Sequence, residues 1–282
     1  MRRRVLAMIV VGLACSLGTA TVASGDGGPG PGVSQGWDGV TNGNERYVAV
    51  PTVGWTSIQA ISRNGGRVLR WMNLKGSWGI PLVANDGTSG GLLPDGRTLL
   101  LADVRYGPTL RKNSSFALVD MKKMRVLRKV RVAGDDAFDA VSPDARYLYL
   151  VEYVSTRDFT RYRVRAYDLK TNRLLPKIVS DRRSWETTMQ GLPLSRTTSP
   201  DGGWAFTLYG GTEARPFIHA LDTRHVEAVC IDMPWRTQPR NIWQYRLRMD
   251  GDGHLVVRGP HGRALVVVDR EKFRVLSSVR NP

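Results

Sequence analysis

Residues 138–179 read FDAVSPDARYLYLVEYVSTRDFTRYRVRAYDLKTNRLLPKIV. Four short runs stand out, each closed by turn residues. Phe138–Val141 stops at Ser142-Pro143-Asp144-Ala145, and Tyr147–Val151 follows at once. Tyr162–Tyr167 is third, and Asp168-Leu169-Lys170-Thr171-Asn172 turns it into Arg173–Val179. Alternation with a period of two, punctuated by Pro, Asp and Asn, predicts antiparallel strands joined by tight connections. Long helical periodicity is absent. One sheet of this size cannot bury both of its faces by itself, so it needs neighbours.

Working outward, the neighbours are found. Turns comparable to Pro143-Asp144-Ala145 occur at Pro94-Asp95-Gly96, Pro200-Asp201-Gly202 and Met249-Asp250-Gly251, giving positions 94, 143, 200 and 249 with spacings of 49, 57 and 49. Runs ending in aspartate close at Asp120, Asp168, Asp222 and Asp269, spaced by 48, 54 and 47. An earlier unit has Tyr47–Val50, Ser57–Ile61 and Val68–Met72, with an inner strand expected in the Gly36–Val40 region. Five four-stranded units then account for residues 35–282, an all-β propeller of five blades. The aspartates that end the runs are expected to hold turn amides.

The Ser-Pro-Asp-Gly turns and the apolar-apolar-Asp endings resemble the YVTN and WD40-like repeat families. The likeness spans residues 46–279 and implies a propeller fold. The chain departs from those families in lacking the YVTN tetrapeptide and a regular Trp-Asp ending, and in having five units where seven are usual. The likeness leaves the function undecided, because propellers carry enzymes, sensors and scaffolds alike.

The first 23 residues differ from the rest. Arg2-Arg3-Arg4 precede an apolar run, Val5–Ala14, and a small-residue stretch from Gly18 to Ala23. That order is a secretory leader. The uncharged stretch Val5–Ala23 would also suit an uncleaved anchor, and Gly12-Leu13-Ala14-Cys15 resembles a lipobox. Residues 24–34, rich in Gly and Pro, read as a disordered linker. The sequence therefore places the domain outside the cell or in its envelope, touching membrane only through leader or lipid. Cys230 in Ala228-Val229-Cys230-Ile231 reads as a buried small hydrophobe.

Forty-one Lys and Arg against 25 Asp and Glu give +16, and +13 without Arg2, Arg3 and Arg4. Such a balance favours anionic partners. Nucleic acid is disfavoured for an exported chain without a recognition motif. A protein or an anionic envelope polymer fits better, bound by a monomer. Outer-strand cations such as Arg67, Arg70, Arg125, Arg128, Lys129, Arg131, Arg173, Lys177, Arg274 and Arg280 would serve as a basic rim, or as edge protection against sheet-to-sheet pairing.

Two sites suggest themselves. Counting eight residues back from each turn gives Asp86, Asp135, Leu192 and Asn241, with Asp38 as the counterpart in the first unit. A ring of Asp38, Asp86, Asp135 and Asn241 at a channel mouth would suit Ca²⁺, or its carboxylates would serve a carbohydrate hydrolase or lyase as acid and base. The same residues also serve routinely as turn caps. No cofactor is otherwise implied, and His219, His225, His254 and His261 show no metal-ligand spacing. The second site is 235–248, where Trp235, Arg236, Arg240, Asn241, Trp243 and Tyr245 combine aromatic faces with guanidinium forks for a sugar or anion. The leading expectation is a binding or scaffold protein without catalysis.

Overall fold

The computed structural model describes residues 32–106, 109–235 and 237–279. The leader, the linker up to residue 31, Arg236 and Arg280 lie outside the described residues. The first sheet has β2 (Gly39–Asn42), β3 (Glu45–Thr52), β4 (Trp55–Ser62) and β5 (Val68–Lys75). The second has β6 (Trp78–Pro81), β7 (Thr98–Asp103), β8 (Asn113–Asp120) and β9 (Arg125–Ala133), with β1 (Val33–Ser34) antiparallel to β6. The third has β10 (Asp136–Val141), β11 (Tyr147–Tyr153), β12 (Arg161–Asp168) and β13 (Arg173–Val179), and β14 (Met189–Gln190) adds to β12. The fourth has β15 (Leu192–Thr198), β16 (Trp204–Gly210), β17 (Phe217–Asp222) and β18 (Glu227–Asp232). The fifth has β19 (Arg246–Met249), β20 (Leu255–Arg258), β21 (Ala264–Asp269) and β22 (Arg274–Ser278). Each is a meander of consecutive antiparallel strands. Val33 and Ser34, which the sequence assigns to the linker, are ladder residues of the second sheet.

The second strand of a sheet is apolar on both faces because each face meets a different neighbour. Leu148 and Leu150 pack with Phe116 and Leu118 of the second sheet, while Tyr149 between them packs with Ala205 and Leu221 of the fourth. Leu99 and Leu101 likewise join Ile58 and Ala60 of the first sheet, and Leu100 turns to the third. Phe206 and Leu208 meet Leu247, Leu255 and Val257 of the fifth. Side chains of this size contribute about 1.5–3 kcal/mol each on full burial, so the interfaces between sheets form the core. The four clusters join the sheets in order, first to fifth.

The terminal aspartates behave as the spacing predicts. Asp120 Oδ1 accepts from the amides of Lys122 (3.0 Å) and Lys123 (2.9 Å), and Asp168 Oδ1 from Lys170 (2.7 Å) and Thr171 (3.1 Å). Asp222 and Asp269 repeat this with Arg224, His225, Glu271 and Lys272. Four residues after each aspartate the backbone turns left-handed, at Met124, Asn172, Val226 and Phe273 (φ 48°, 57°, 57° and 51°). Glycine would take that position more easily. The carbonyl next after the aspartate receives a donor from the preceding sheet: Arg70 to Met121, Arg128 to Leu169, Tyr149 to Thr223. Two of the expected rim cations, Arg70 and Arg128, are thus clasps between sheets.

One feature had no counterpart in the repeat. After Pro81 the chain leaves the second sheet and rejoins it at Leu92, which pairs with Leu99. The inserted loop reaches across the molecule, where the Asn85 amide donates to the Pro193 carbonyl on β15 (2.8 Å). Asp86 also comes within 4.0 Å of Arg246 on β19. A loop of the second sheet that touches the first strands of the fourth and fifth brings these three sheets around it. Gly90 is needed there, since a Cβ would lie 2.5 Å from the Phe138 ring. The architecture is an all-β array of five propeller-like sheets.

Candidate functional site

The expected ring of oxygen ligands does not assemble. Asp86 lies on the inserted loop, where Oδ1 accepts from the Thr88 amide (3.0 Å) and hydroxyl (2.6 Å). Asp38 is exposed before β2, and Asn241 stands at the fifth sheet. Asp135 is buried and bound by Arg105 and by Arg111 Nε (3.0 Å). The residue count from the turns failed because the inserted loop displaces Pro94 from the strand it follows. Among the described residues, a three-ligand cluster occurs instead at Asp250, Asp252 and His254. Asp250 Oδ1 there holds the amides of Asp252 (3.1 Å) and His254 (2.8 Å), a turn-capping role.

A dense ionic network surrounds Asp135. Arg111 also bonds Asp103 Oδ1 (2.7 Å) and the Asp136 carbonyl (2.7 Å), and Arg165 bonds Glu152 Oε2 (3.1 Å). Asp136 and Glu152 are cross-strand partners between β10 and β11. Both Asp136 oxygens are occluded without a hydrogen-bond partner. Burial, and then the Glu152 charge, push its carboxyl up to about 7. Nearer the centre, Arg196 pairs with Asp139, both buried. His219 is also buried, which lowers its imidazole to about 4 and keeps it neutral. Burial raises the Cys230 thiol to about 12, so it is no nucleophile near neutral pH.

The segment 235–248 divides in two. Trp235 is only 3% exposed and meets the Tyr245 ring edge-on at 5.7 Å, so it belongs to the core between the fourth and fifth sheets. Ile242 is buried beside it. Bonds from Ile242 to Pro239, Gln244 to Asn241 and Tyr245 to Ile242 wind the connection into a 3₁₀ turn ahead of β19. Arg240, Asn241 and Tyr245 then line an open groove of about 590 Å³, whose far wall is Pro260, His261 and Arg263 from the β20–β21 loop. Tyr245 forms its floor, 2% exposed, while Trp243 on the same connection is 63% exposed. Among the described residues, no acidic side chain lines the groove. Among the described residues, the side chains of Arg240, Arg263 and His261 have no ion pair or hydrogen bond, unlike those of Arg105, Arg111, Arg165 and Arg196. The far wall was not legible from sequence, because His261 and Arg263 come from a loop with no motif.

No family model matches the chain, and no curated protein matches its sequence. Solved structures resemble it in fold. A functionally unknown protein from Desulfotomaculum acetoxidans superposes with a TM-score of 0.50 at 14% identity, over 89% of this chain and 69% of that one. The Myceliophteria thermophila Cps50 (Swd1) β-propeller domain gives 0.47 at 13% identity, over 87% and 67%. Kuenenia stuttgartiensis hydrazine synthase gives 0.41 at 23% identity over 66% of this chain, which spans 46% of that one. At these identities the likeness is one of fold alone.

Proposed function

We propose that this protein is an exported, non-catalytic β-propeller that binds an anionic polymer in the groove of its fifth sheet. One observation carries the reading: two guanidinium groups, Arg240 and Arg263, face a groove of about 590 Å³ with no acid to neutralise them. Unpaired arginines offer fork-shaped donors to carboxylate or phosphate, and the net charge of +16 would steer a polyanion towards them.

Catalysis by carboxylates has less to stand on. Asp135 is neutralised by two arginines and Asp86 is held by its own loop. In a further pair, Asp136 and Glu152, Asp136 is out of reach of any substrate, because both its oxygens are occluded. Closure into a ring of five belongs to the proposal. Val48 and Ile61 lie on the face of the first sheet turned from the second, and Val256 on the face of the fifth turned from the fourth. All three are buried, as packing of the fifth sheet on the first would require. Export rests on Arg2–Arg4 and the apolar run behind them.

Thermal unfolding of the purified protein with polygalacturonate, poly-L-glutamate, inorganic polyphosphate and neutral dextran tests the reading. A ligand of the folded state at 100 times its Kd adds about 2.7 kcal/mol. The expected result is a raised midpoint with polyanions at low salt, lost at high salt and in the double variant R240Q/R263Q. A shift with dextran alone, or no shift with any polyanion, would sink it.

A further inference from the structure

The groove offers more than charge. The connection that brings Arg240, Asn241 and Tyr245 to the groove also carries Trp243, whose indole is left 63% exposed. Buried Ile242 and Tyr245 anchor this connection against the core. An indole left this exposed, on the connection that carries the unpaired Arg240, has little to pack against within the chain.

Resting on the anionic-polymer reading, we infer that the ligand is an acidic polysaccharide, with its carboxylate taken by Arg240 and Arg263 and the sugar ring laid on Trp243. The apolar face of a pyranose matches an indole in area and stacks on it. An acidic peptide offers carboxylates on flexible stems with no such face, and polyphosphate offers no ring. The phenol of Tyr245, on the groove floor, adds a donor to sugar hydroxyls, as does the Asn241 amide at the edge. Arg246, the first residue of β19, binds the carbonyls of Trp243 (3.1 Å) and Tyr245 (3.0 Å) and fixes the end of the connection.

Affinities for polygalacturonate, poly-L-glutamate and inorganic polyphosphate, measured by titration calorimetry on the wild type and on W243A and R263Q, separate the two ideas. Polygalacturonate should bind best and lose about tenfold with W243A, the scale of a stacked aromatic contact. Polyphosphate affinity should stay within twofold in W243A, and all three ligands should weaken about tenfold or more in R263Q. If W243A leaves polygalacturonate unchanged while R263Q weakens every polyanion, the glycan assignment fails and the anionic groove stands. Equal binding of poly-L-glutamate and polygalacturonate, both indifferent to W243A, would assign an acidic protein surface in its place. If R263Q changes nothing, the groove itself is excluded. Trp243 and Arg263 are both exposed, so unchanged melting of the variants confirms that the fold is intact.

Discussion

Two groups of arginines in this molecule differ in one respect. Arg105, Arg111, Arg165 and Arg196, around the second to fourth sheets, each meet a carboxylate, and Arg196 with Asp139 is wholly buried. Arg240 and Arg263, at the fifth sheet, meet none among the described residues. A buried charge must be paired, because an uncompensated one costs several kcal/mol. An exposed charge is under no such demand. The first group is therefore explained by architecture, and the second is left over for something outside the chain. Abundance of arginine in the sequence could not separate them.

The contrast can be broken most directly at the buried pair. D139A strands Arg196 and should cost about 3–5 kcal/mol by denaturant unfolding, with polygalacturonate affinity below the midpoint unchanged. Lost affinity with an intact fold would show that the two groups are coupled.

Asp136 sharpens it with pH. Its folded carboxyl titrates near 7, above the ordinary 3.8, with Glu152, Arg165 and Arg111 around it. A raised carboxyl means that the folded state holds a proton the unfolded chain has released. Stability should therefore fall as pH rises from about 4 to 7, and the penalty is complete above 7. The three-unit shift corresponds to an upper bound of roughly 4 kcal/mol. D136N should flatten that slope and raise the melting midpoint at pH 8; an unchanged slope would remove Asp136 as its cause.

At the groove the expectation reverses. R240Q/R263Q should weaken polyanion binding ten- to a hundredfold while moving unfolding by no more than about 0.5 kcal/mol. A large loss of stability would place these arginines with the first group. The smallest effect is expected from D86N, which keeps an oxygen for Thr88 and should change unfolding by less than about 1 kcal/mol. Abolished turnover of a carbohydrate substrate in D86N would restore the hydrolase reading.

The strands and their turns were legible because backbone chemistry dictates them locally. Asp168 caps its turn through amides two and three residues away, and Leu148, Tyr149 and Leu150 alternate between neighbours, so spacing alone carries both facts. The site was legible only in part. Arg240, Asn241 and Tyr245 stand on one short connection and were found together, whereas Trp235 from the same stretch turned inward. Aromatic character does not say which way a side chain faces; the packing of the fourth sheet on the fifth decides it. His261 and Arg263 join the groove through a hairpin, a pairing that depends on the sheet and not on sequence distance. Asp86 misled because the inserted loop breaks the register on which the count relied.

The carbonyls that follow Asp120, Asp168 and Asp222 give the array a direction. Met121, Leu169 and Thr223 each accept from the sheet before, never from the sheet after. The second and third units thus each carry a socket for their predecessor and a plug for their successor, the first supplying a plug and the fourth a socket. A segment duplicated or excised between two such aspartates brings a plug back to a socket across the new junction, so the number of units can change in descent without inventing a new contact.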